Sequence, residues 1–334
     1  MAPPNQKSIS KHKAPDAVQG LTLLLELKLT IGSVADAALT AKTLHWSVQG
    51  LTDAHMGAVA FVLSQNQALL ELGLARNRIG APGAAALAGA LAFSGALRCL
   101  WLSSNQISDR GAAALAAALP SLGWMEHRAA PRLEELWLSA NQIGPTGAAA
   151  LAEALPHLPR LAKVDLRFNP ICDGGAAALA GKLPDMPQVH ELYLQDCMIG
   201  DRGAGALAKA LVHAPHLSEL RLSSNLIGDR GASALAAAAV HAQSLLGLHL
   251  ASNQIGDLGG AALACALDEG ASFTRLDLAR NALTDGAALA AAAIGSHTLR
   301  FLDVADNRLD AAAAQAFALL VLRGMQAGGG TLSE

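Results

Sequence analysis

Few side chains in this 334-residue chain are spaced for catalysis or metal binding. His213 and His216 could share a metal ion on one helical face, but Pro215 between them predicts a helix end. Histidines are common at helix ends because they interact favourably with the helix dipole. The sequence contains no P-loop, no His-Glu-x-x-His motif and no nucleophile elbow. We therefore expect no catalytic residue, no cofactor and no metal site.

The cysteines argue against a zinc site and against a disulfide framework. They form no Cys-x-x-Cys pair and are widely separated along the chain. This pattern indicates reduced thiols of an intracellular protein. The cysteines are Cys99, Cys172, Cys197 and Cys265.

The charge balance gives no reason to expect nucleic acid or a membrane as a partner. The formal net charge is −3 with histidine neutral, so no general attraction to phosphate groups arises. Residues 1–13 are polar, and the apolar patch at 21–29 is interrupted by Glu26 and Lys28. That patch is too short to cross a bilayer. We expect neither a signal peptide nor a transmembrane helix, and a cytoplasmic location.

Bulky aromatic side chains give the strongest indication of binding. Trp101, Trp137 and the only tyrosine, Tyr193, each lie between two leucines in the same Leu-x-Leu pattern. A large ring at a solvent-facing position gains little for folding, whereas tryptophan, tyrosine and arginine most often dominate binding energy. The alternative is that Trp101 and Trp137 stack on each other, as cross-strand aromatic pairs do. We favour the interpretation that these aromatic side chains bind a partner.

These rings are positioned by a repeat of the form Leu-x-x-Leu-x-Leu-x-x-Asn. Most copies follow at a 28-residue interval, and Cys197 takes the asparagine position in one of them. The step from Asn105 to Asn141 is 36 residues, which indicates an eight-residue insertion at about 123–130. That insertion is either a tolerated surface loop or a binding element. The repeated asparagines are Asn77, Asn105, Asn141, Asn169, Asn225, Asn253, Asn281 and Asn307.

The copy that begins at Leu217 indicates how each unit folds. Leu220 and Leu222 lie on one face of a short strand, so the residues between and after them face solvent. The amide of Asn225 can bond the turn backbone of its own and the next repeat. The thiol of Cys197 does this only weakly, so its copy should be slightly less stable. An aspartate then stands where a helix N-cap is expected, before an alanine-rich helix. The expected N-caps are Asp201, Asp229 and Asp257.

Stacked units of this kind predict one curved solenoid of the α/β class. Strands pair about 4.8 Å apart and helices pack about 8 to 10 Å apart, so the strands lie inside. The expected fold is a right-handed horseshoe with a concave parallel β-sheet and convex α-helices. We assign 1–20 and 324–334 to flexible tails and 21–323 to the solenoid, with a degenerate cap at 21–68 and the last helix at 310–323.

Stacking aligns one residue of every repeat along the centre of the concave face. Mixed charge surrounds the rings there, as at a protein-binding surface, and not the row of positive charge that phosphates require. Asp165 and Asp277 share this column but lie four repeats apart, on the order of 20 Å, too far for a catalytic pair. The column is His45, Gly73, Trp101, Trp137, Asp165, Tyr193, Arg221, His249, Asp277 and Asp303. The expected partner-binding residues are Trp101, Trp137, Tyr193, Asp165, Arg221, Glu135, Phe168, His249 and Asp277.

The stretch from Leu100 to Leu119 closely resembles the ribonuclease-inhibitor-like class of leucine-rich repeats, which also forms the sensor region of NOD-like receptors. The resemblance covers about 41–323 and implies a non-enzymatic scaffold that binds a protein partner. We expect the chain to be a monomer. Two departures are the single cysteine at an asparagine position and the missing P-loop. Ran GTPase-activating proteins are similar too, which implies GTPase activation as the alternative. Arg76 and Arg78 are then the candidates for a catalytic arginine.

Overall fold

The structure is a computed structural model that describes residues 38–121, 131–322 and 326–327. In these ranges, eleven short strands form one parallel sheet whose order in space is their order along the chain. The strands are β1 Thr43–His45, β2 Glu71–Gly73, β3 Cys99–Trp101, β4 Glu135–Trp137, β5 Lys163–Asp165, β6 Glu191–Tyr193, β7 Glu219–Arg221, β8 Gly247–His249, β9 Arg275–Asp277, β10 Phe301–Asp303 and β11 Gln326–Ala327.

One α-helix follows each strand from β1 to β10, so the described chain alternates strand and helix throughout. This alternation confirms the α/β solenoid. We call the sheet face that points away from the helices the concave face. The helices are α1 Met56–Gln65, α2 Ala81–Leu91, α3 Ser108–Ala118, α4 Pro145–Ala154, α5 Cys172–Lys182, α6 Asp201–Leu211, α7 Asp229–Ala239, α8 Asp257–Asp268, α9 Ala287–Gly295 and α10 Ala311–Leu322.

The core lies between the sheet and the helices and is filled by leucine against alanine. Leu220 and Leu222 are fully buried in β7 and just after it, as the alternation predicted. Small residues let consecutive helices approach closely, because a Cβ on Gly231 would stand 3.0 Å from the Cβ of Ala204. This close approach reduces the mismatch between strand spacing and helix spacing, which the alanine-rich composition predicted.

The repeated asparagines form a ladder of hydrogen bonds along one edge of the sheet. The Asn169 side chain is 1% exposed, and its Oδ1 accepts from the amides of Asn141 at 2.9 Å and Ile143 at 3.0 Å. Its Nδ2 donates to the carbonyls of Leu138 at 3.0 Å and Leu166 at 2.9 Å. The prediction of bonds within the same repeat is confirmed. The second repeat it bonds is the preceding one, however, and not the next one as predicted.

Cys197 takes part in this ladder with fewer bonds. Its Sγ donates to the carbonyl of Leu166 at 3.3 Å and to that of Gln195 at 3.5 Å. The thiol lacks the strong acceptor of an amide, and the Ile171 amide bonds the Asn169 carbonyl at 2.7 Å instead. Burial raises the pKa of Cys197 to about 12, so this thiol stays protonated.

The predicted N-cap role of the aspartates is wrong in one respect. Gly228 is the N-cap of α7, and Asp201 is the first residue of α6, one repeat earlier. Asp201 Oδ1 accepts from the amides of Gly228 and Gly231, both at 2.8 Å. Asp201 and Asp229 therefore each cap the helix that follows their own, because the starts of adjacent helices stand side by side. We call this contact the cross-repeat cap. Asp257 Oδ1 instead accepts from the amides of Thr284 and Asp285, which precede α9.

The cross-repeat cap is missing where a repeat lacks the aspartate. Ala81 and Pro145 occupy its position, and the residues that face them in the next repeats are Ser108 and Cys172. These two residues adopt left-handed backbone at φ 57° and φ 54°, where aspartate-capped repeats have an extended glycine such as Gly228. Their helices begin one residue earlier in the repeat, directly at the left-handed residue.

Replacing Asp229 with alanine is expected to destabilise α8 and not the helix that contains it. Its Oδ1 accepts from the amides of Gly256 at 2.7 Å and Gly259 at 2.9 Å. Loss of such a cap costs about 1 to 2 kcal/mol. Hydrogen exchange should accelerate in the first turn of α8, while Asp268→Ala, at the exposed end of the same helix, should leave it unchanged. Faster exchange confined to α7 would contradict the cross-repeat cap.

The ends of the described chain match the predicted degenerate repeats. β1 pairs with β2 in register, and Trp46 after it is 1% exposed. α10 confirms the last helix, with Asp310 Oδ1 accepting from the Ala313 amide at 2.7 Å. The sheet continues to β11, beyond the predicted boundary at residue 323. The cap at 21–37, the insertion at 123–130 and the tails 1–20 and 328–334 lie outside the described residues.

Candidate functional site

The sheet register confirms the predicted column at the third position of each strand on the concave face. Trp101 pairs directly with Trp137, Asp165 with Tyr193, and so on through the ten strands from β1 to β10. Directly paired side chains are close neighbours on a sheet face. The column therefore brings the predicted aromatic residues into one region, on β3, β4 and β6.

Trp101 contacts His45 across an intervening glycine. The two rings are stacked with centroids 5.5 Å apart and an interplanar angle of 22°. His45 and Trp101 lie two strands apart, with Gly73 between them. A Cβ on Gly73 would stand 3.0 Å from His45 Nδ1, so a larger residue there would press on the histidine ring. His45 is itself exposed.

Trp137 contacts Tyr193 in the same manner, across Asp165. The ring centroids are 5.8 Å apart with a tilt of 35°. The short Asp165 side chain does not separate them, because Arg167 holds it in a bidentate ion pair at 2.9 and 2.8 Å. Trp137 Nε1 also donates to Glu135 Oε2 at 3.0 Å, which fixes the indole. Each tryptophan thus contacts a ring two strands away, in place of the mutual stacking that was the alternative.

Three residues predicted to face solvent are buried. The Asp165 side chain is 1% exposed beneath Arg167. Tyr193 is 9% exposed, with the guanidinium of Arg167 5.3 Å and that of Arg221 4.9 Å from its ring centroid. His249 is 7% exposed. Arg167 and Arg221 cover the first two, and for all three residues the prediction of solvent exposure is wrong.

Tyr193 and Glu191 form a hydrogen bond in which the phenol donates to the carboxylate. Burial and this bond raise the pKa of Tyr193 well above its usual value. The same bond and Lys163 lower the pKa of Glu191, although burial opposes them. Tyr193 is therefore a neutral, fixed support for Trp137.

His249 occupies an ionic cluster further along the column. Its Nε2 lies 2.9 Å from Glu219 Oε2, and its Nδ1 lies 4.0 Å from Asp277. A Cβ on Gly247 would stand 2.4 Å from the Glu219 carboxylate, so the glycine lets Glu219 reach His249. The hydrogen bond from His249 lowers the pKa of Glu219. Burial raises the pKa of Asp277.

The other predicted binding residues keep access to solvent. Trp101, Trp137, Glu135, Arg221 and Asp277 are partly exposed. Phe168 is 53% exposed in the left-handed turn before Asn169, at the edge of the sheet. These residues, together with the His45 ring that stacks on Trp101, are the accessible part of the predicted surface.

Carboxylates outnumber cations along the amino-terminal side of β2 to β7. Arg98 lies 3.3 Å from Glu134, and Lys163 lies 3.1 Å from Glu191 and 3.7 Å from Glu135. Arg221 lies 3.8 Å from its nearest carboxylate. We call this set the acidic row. Its carboxylates are Glu71, Glu134, Glu135, Glu191 and Glu219.

The pKa of Cys99 is affected by the carboxylates of the acidic row. Burial and three carboxylates of the row, led by Glu135, together raise the pKa of its thiol to about 12, while Arg98 opposes them. The effect of these carboxylates on the pKa of Cys99 therefore exceeds that of Arg98.

A comparison with known protein families decides the identity of the fold. The family described as leucine-rich repeat matches eight segments, which together cover more than half of the chain. The chain belongs to the leucine-rich repeat family. The matched segments are 65–88, 97–116, 131–152, 158–180, 187–208, 213–236, 241–264 and 295–318.

We also compared this leucine-rich repeat protein with curated proteins and with solved structures. No curated protein matches its sequence. Among solved structures, an internalin from Listeria monocytogenes is similar with a TM-score of 0.46 and 17% identity, over 96% of both chains.

Sequence reasoning missed an apolar group at the sheet edge of this leucine-rich repeat protein. Pro170 is exposed, and Met198 and Leu226 are 53% and 50% exposed, at the position directly after the ladder residue in three successive repeats. The available signal was the composition of that position, which holds arginine or glutamine in most other repeats, such as Arg78 and Gln106.

The described residues contain no cluster of three or more histidine, cysteine or acidic side chains suited to a metal ion. Over the same ranges, none of the helices has the length and apolarity needed for a membrane crossing.

Proposed function

We propose that this leucine-rich repeat protein is a non-enzymatic scaffold that holds a protein partner on its concave face, around Trp101 and Trp137. One observation carries the proposal: two tryptophans on adjacent strands are partly exposed and yet held in fixed positions. His45 stacks on one indole, and Glu135 and Tyr193 hold the other. Rings that are already ordered lose little conformational entropy on binding.

The surroundings of the tryptophans have the composition of an interface. Aromatic residues and arginine commonly form the energetic centre of a protein interface, and charged residues its rim. Here the acidic row forms one border of the rings, and Arg221 lies further along the column. Leucine-rich repeats also commonly serve as protein-binding modules. We retain the sequence-based expectations of a monomer in the cytoplasm as part of the proposal.

GTPase activation, the sequence-based alternative, has no support from the family match. Arg76 and Arg78 are exposed residues on either side of Asn77. The Arg78 amide continues the sheet edge by donating to the Leu51 carbonyl at 2.7 Å.

Substituting both Trp101 and Trp137 with alanine is expected to abolish partner capture while the fold is retained. Each anchoring tryptophan commonly contributes 2 kcal/mol or more to binding, about 30-fold in affinity. The measurement is quantitative capture from the native source by the wild type and by the variant, with circular dichroism to verify folding. Phe61→Ala, which removes a 50% exposed ring from α1, is the matched control. Equal capture by all three proteins would exclude this site.

A further inference from the structure

We propose that the site between Trp101 and Trp137 receives an arginine side chain from a basic segment of the partner, with Glu135 as its counter-ion. This inference rests on the proposed function, since it specifies what the concave face binds. It follows from the ring that each indole contacts and from the charge around the two indoles.

The two indoles belong to separate ring pairs, one on each side of the interval between β3 and β4. Cα atoms two strands apart are separated by about 9.6 Å, but the rings of His45 and Trp101 are only 5.5 Å apart. Those side chains must therefore converge over Gly73. Trp137 and Tyr193 converge over Asp165 in the same way, with centroids 5.8 Å apart.

The interval between the two ring pairs lies over two residues whose backbones are directly paired. The Cα atoms of Trp101 and Trp137 are register partners, about 4.8 Å apart at strand spacing. A flat group held between two rings needs about 7 Å, twice the van der Waals contact distance. The proposed site therefore requires the two rings to stand further apart than their Cα atoms, and contact with His45 on one side and with Tyr193 on the other favours this separation.

The charge beside this interval is negative. Glu135 bonds Trp137 Nε1 through Oε2, and its other oxygen lies 3.7 Å from Lys163, which Glu191 engages more closely at 3.1 Å. Glu71, on the other side of Cys99, lies 3.9 Å from His45 and is 37% exposed. An incoming cation would therefore find carboxylate charge on both sides of β3.

Arginine fits this combination better than other groups. Its guanidinium is planar, stacks on aromatic faces and forms directed hydrogen bonds to carboxylates. The ammonium of lysine is compact and more strongly hydrated. Phosphate groups of nucleic acid or of an anionic membrane would be repelled by the acidic row.

The test uses three synthetic peptides of repeated Gly-Ser-Xaa, in which Xaa is arginine, uncharged citrulline or lysine. Binding is followed by the indole N–H signals of Trp101 and Trp137 in NMR spectra of the full chain. The arginine peptide is expected to shift both signals and to bind about tenfold more tightly than the other two. Glu135→Gln, which keeps an oxygen to accept from Trp137, should weaken that binding about tenfold. Glu153→Gln, which removes a 70% exposed carboxylate from α4, should not.

Equal binding of arginine and citrulline peptides, tighter binding of lysine, or no shift of either indole signal at millimolar arginine peptide overturns the inference. Its failure is distinguishable from failure of the proposed function. If Trp101 and Trp137 are needed for partner capture but Glu135→Gln captures normally, the scaffold stands and the arginine site does not. If removal of both tryptophans leaves capture unchanged, the concave site itself is excluded.

Discussion

Replacing Asn169 with alanine is expected to lower the free energy of unfolding by about 4 kcal/mol. The substitution leaves the buried amides of Asn141 and Ile143 without the acceptor that now binds both. Each unsatisfied buried donor costs about 1 to 3 kcal/mol. It also removes the donor to the carbonyls of Leu138 and Leu166. The measurement is urea denaturation followed by circular dichroism.

Two further variants separate the ladder from a general loss of amides. Gln254→Ala removes an exposed amide side chain and should change stability by less than about 0.5 kcal/mol. Cys197→Ala removes only the weak thiol bonds of the ladder and should cost about 1 to 2 kcal/mol. A loss for Asn169→Ala no larger than that for Gln254→Ala would show that the ladder does not stabilise the solenoid.

Two glycines of α6 are expected to respond to alanine with opposite signs. A Cβ on Gly203 would stand 2.7 Å from Asp173 Oδ1 and 2.7 Å from Ile199 Cγ2. It would displace the carboxylate that accepts from the Gly203 amide at 2.9 Å. Overpacking of this kind costs about 1 to 3 kcal/mol. A Cβ on Gly205 meets no atom within 4 Å, so Gly205→Ala should stabilise the helix by about 0.5 to 1 kcal/mol.

Both alanine variants are measured by the same urea denaturation, so each is the control for the other. The substitution, the helix and the added volume are identical, and only the surroundings differ. Stabilisation by Gly203→Ala would show that adjacent helices are not in close contact where the cross-repeat cap is formed.

The repeat allowed most of the fold to be predicted, because its period fixes both the elements and their register. Leucine alternation located the strands, and the asparagine position located the turn. The period does not indicate which neighbouring repeat a side chain bonds. A side chain at a fixed place in each unit can reach the preceding or the following unit, so the partners of Asn169 and Asp201 needed coordinates.

The concave column was predicted correctly in register and only partly in exposure. Alternation indicates which face a residue is on, but not whether long side chains of the same or adjacent repeats cover it. Tyr193 and Asp165 are buried for that reason, under Arg167 and Arg221. Gly73 was a usable sign, since a residue without a side chain inside a column lets its two neighbours meet.

The cross-repeat caps and the asparagine ladder connect neighbouring repeats in opposite directions along the chain. Carboxylates such as that of Asp201 bind towards the carboxyl terminus, whereas amides such as that of Asn225 bind towards the amino terminus. Most junctions between repeats therefore have both kinds of hydrogen bond. The junctions that follow Ala81 and Pro145 keep only the amide fastening, since neither residue carries a carboxylate. Under mechanical tension, the solenoid should therefore separate first at these two junctions. The groups of repeats on either side of each junction should remain folded.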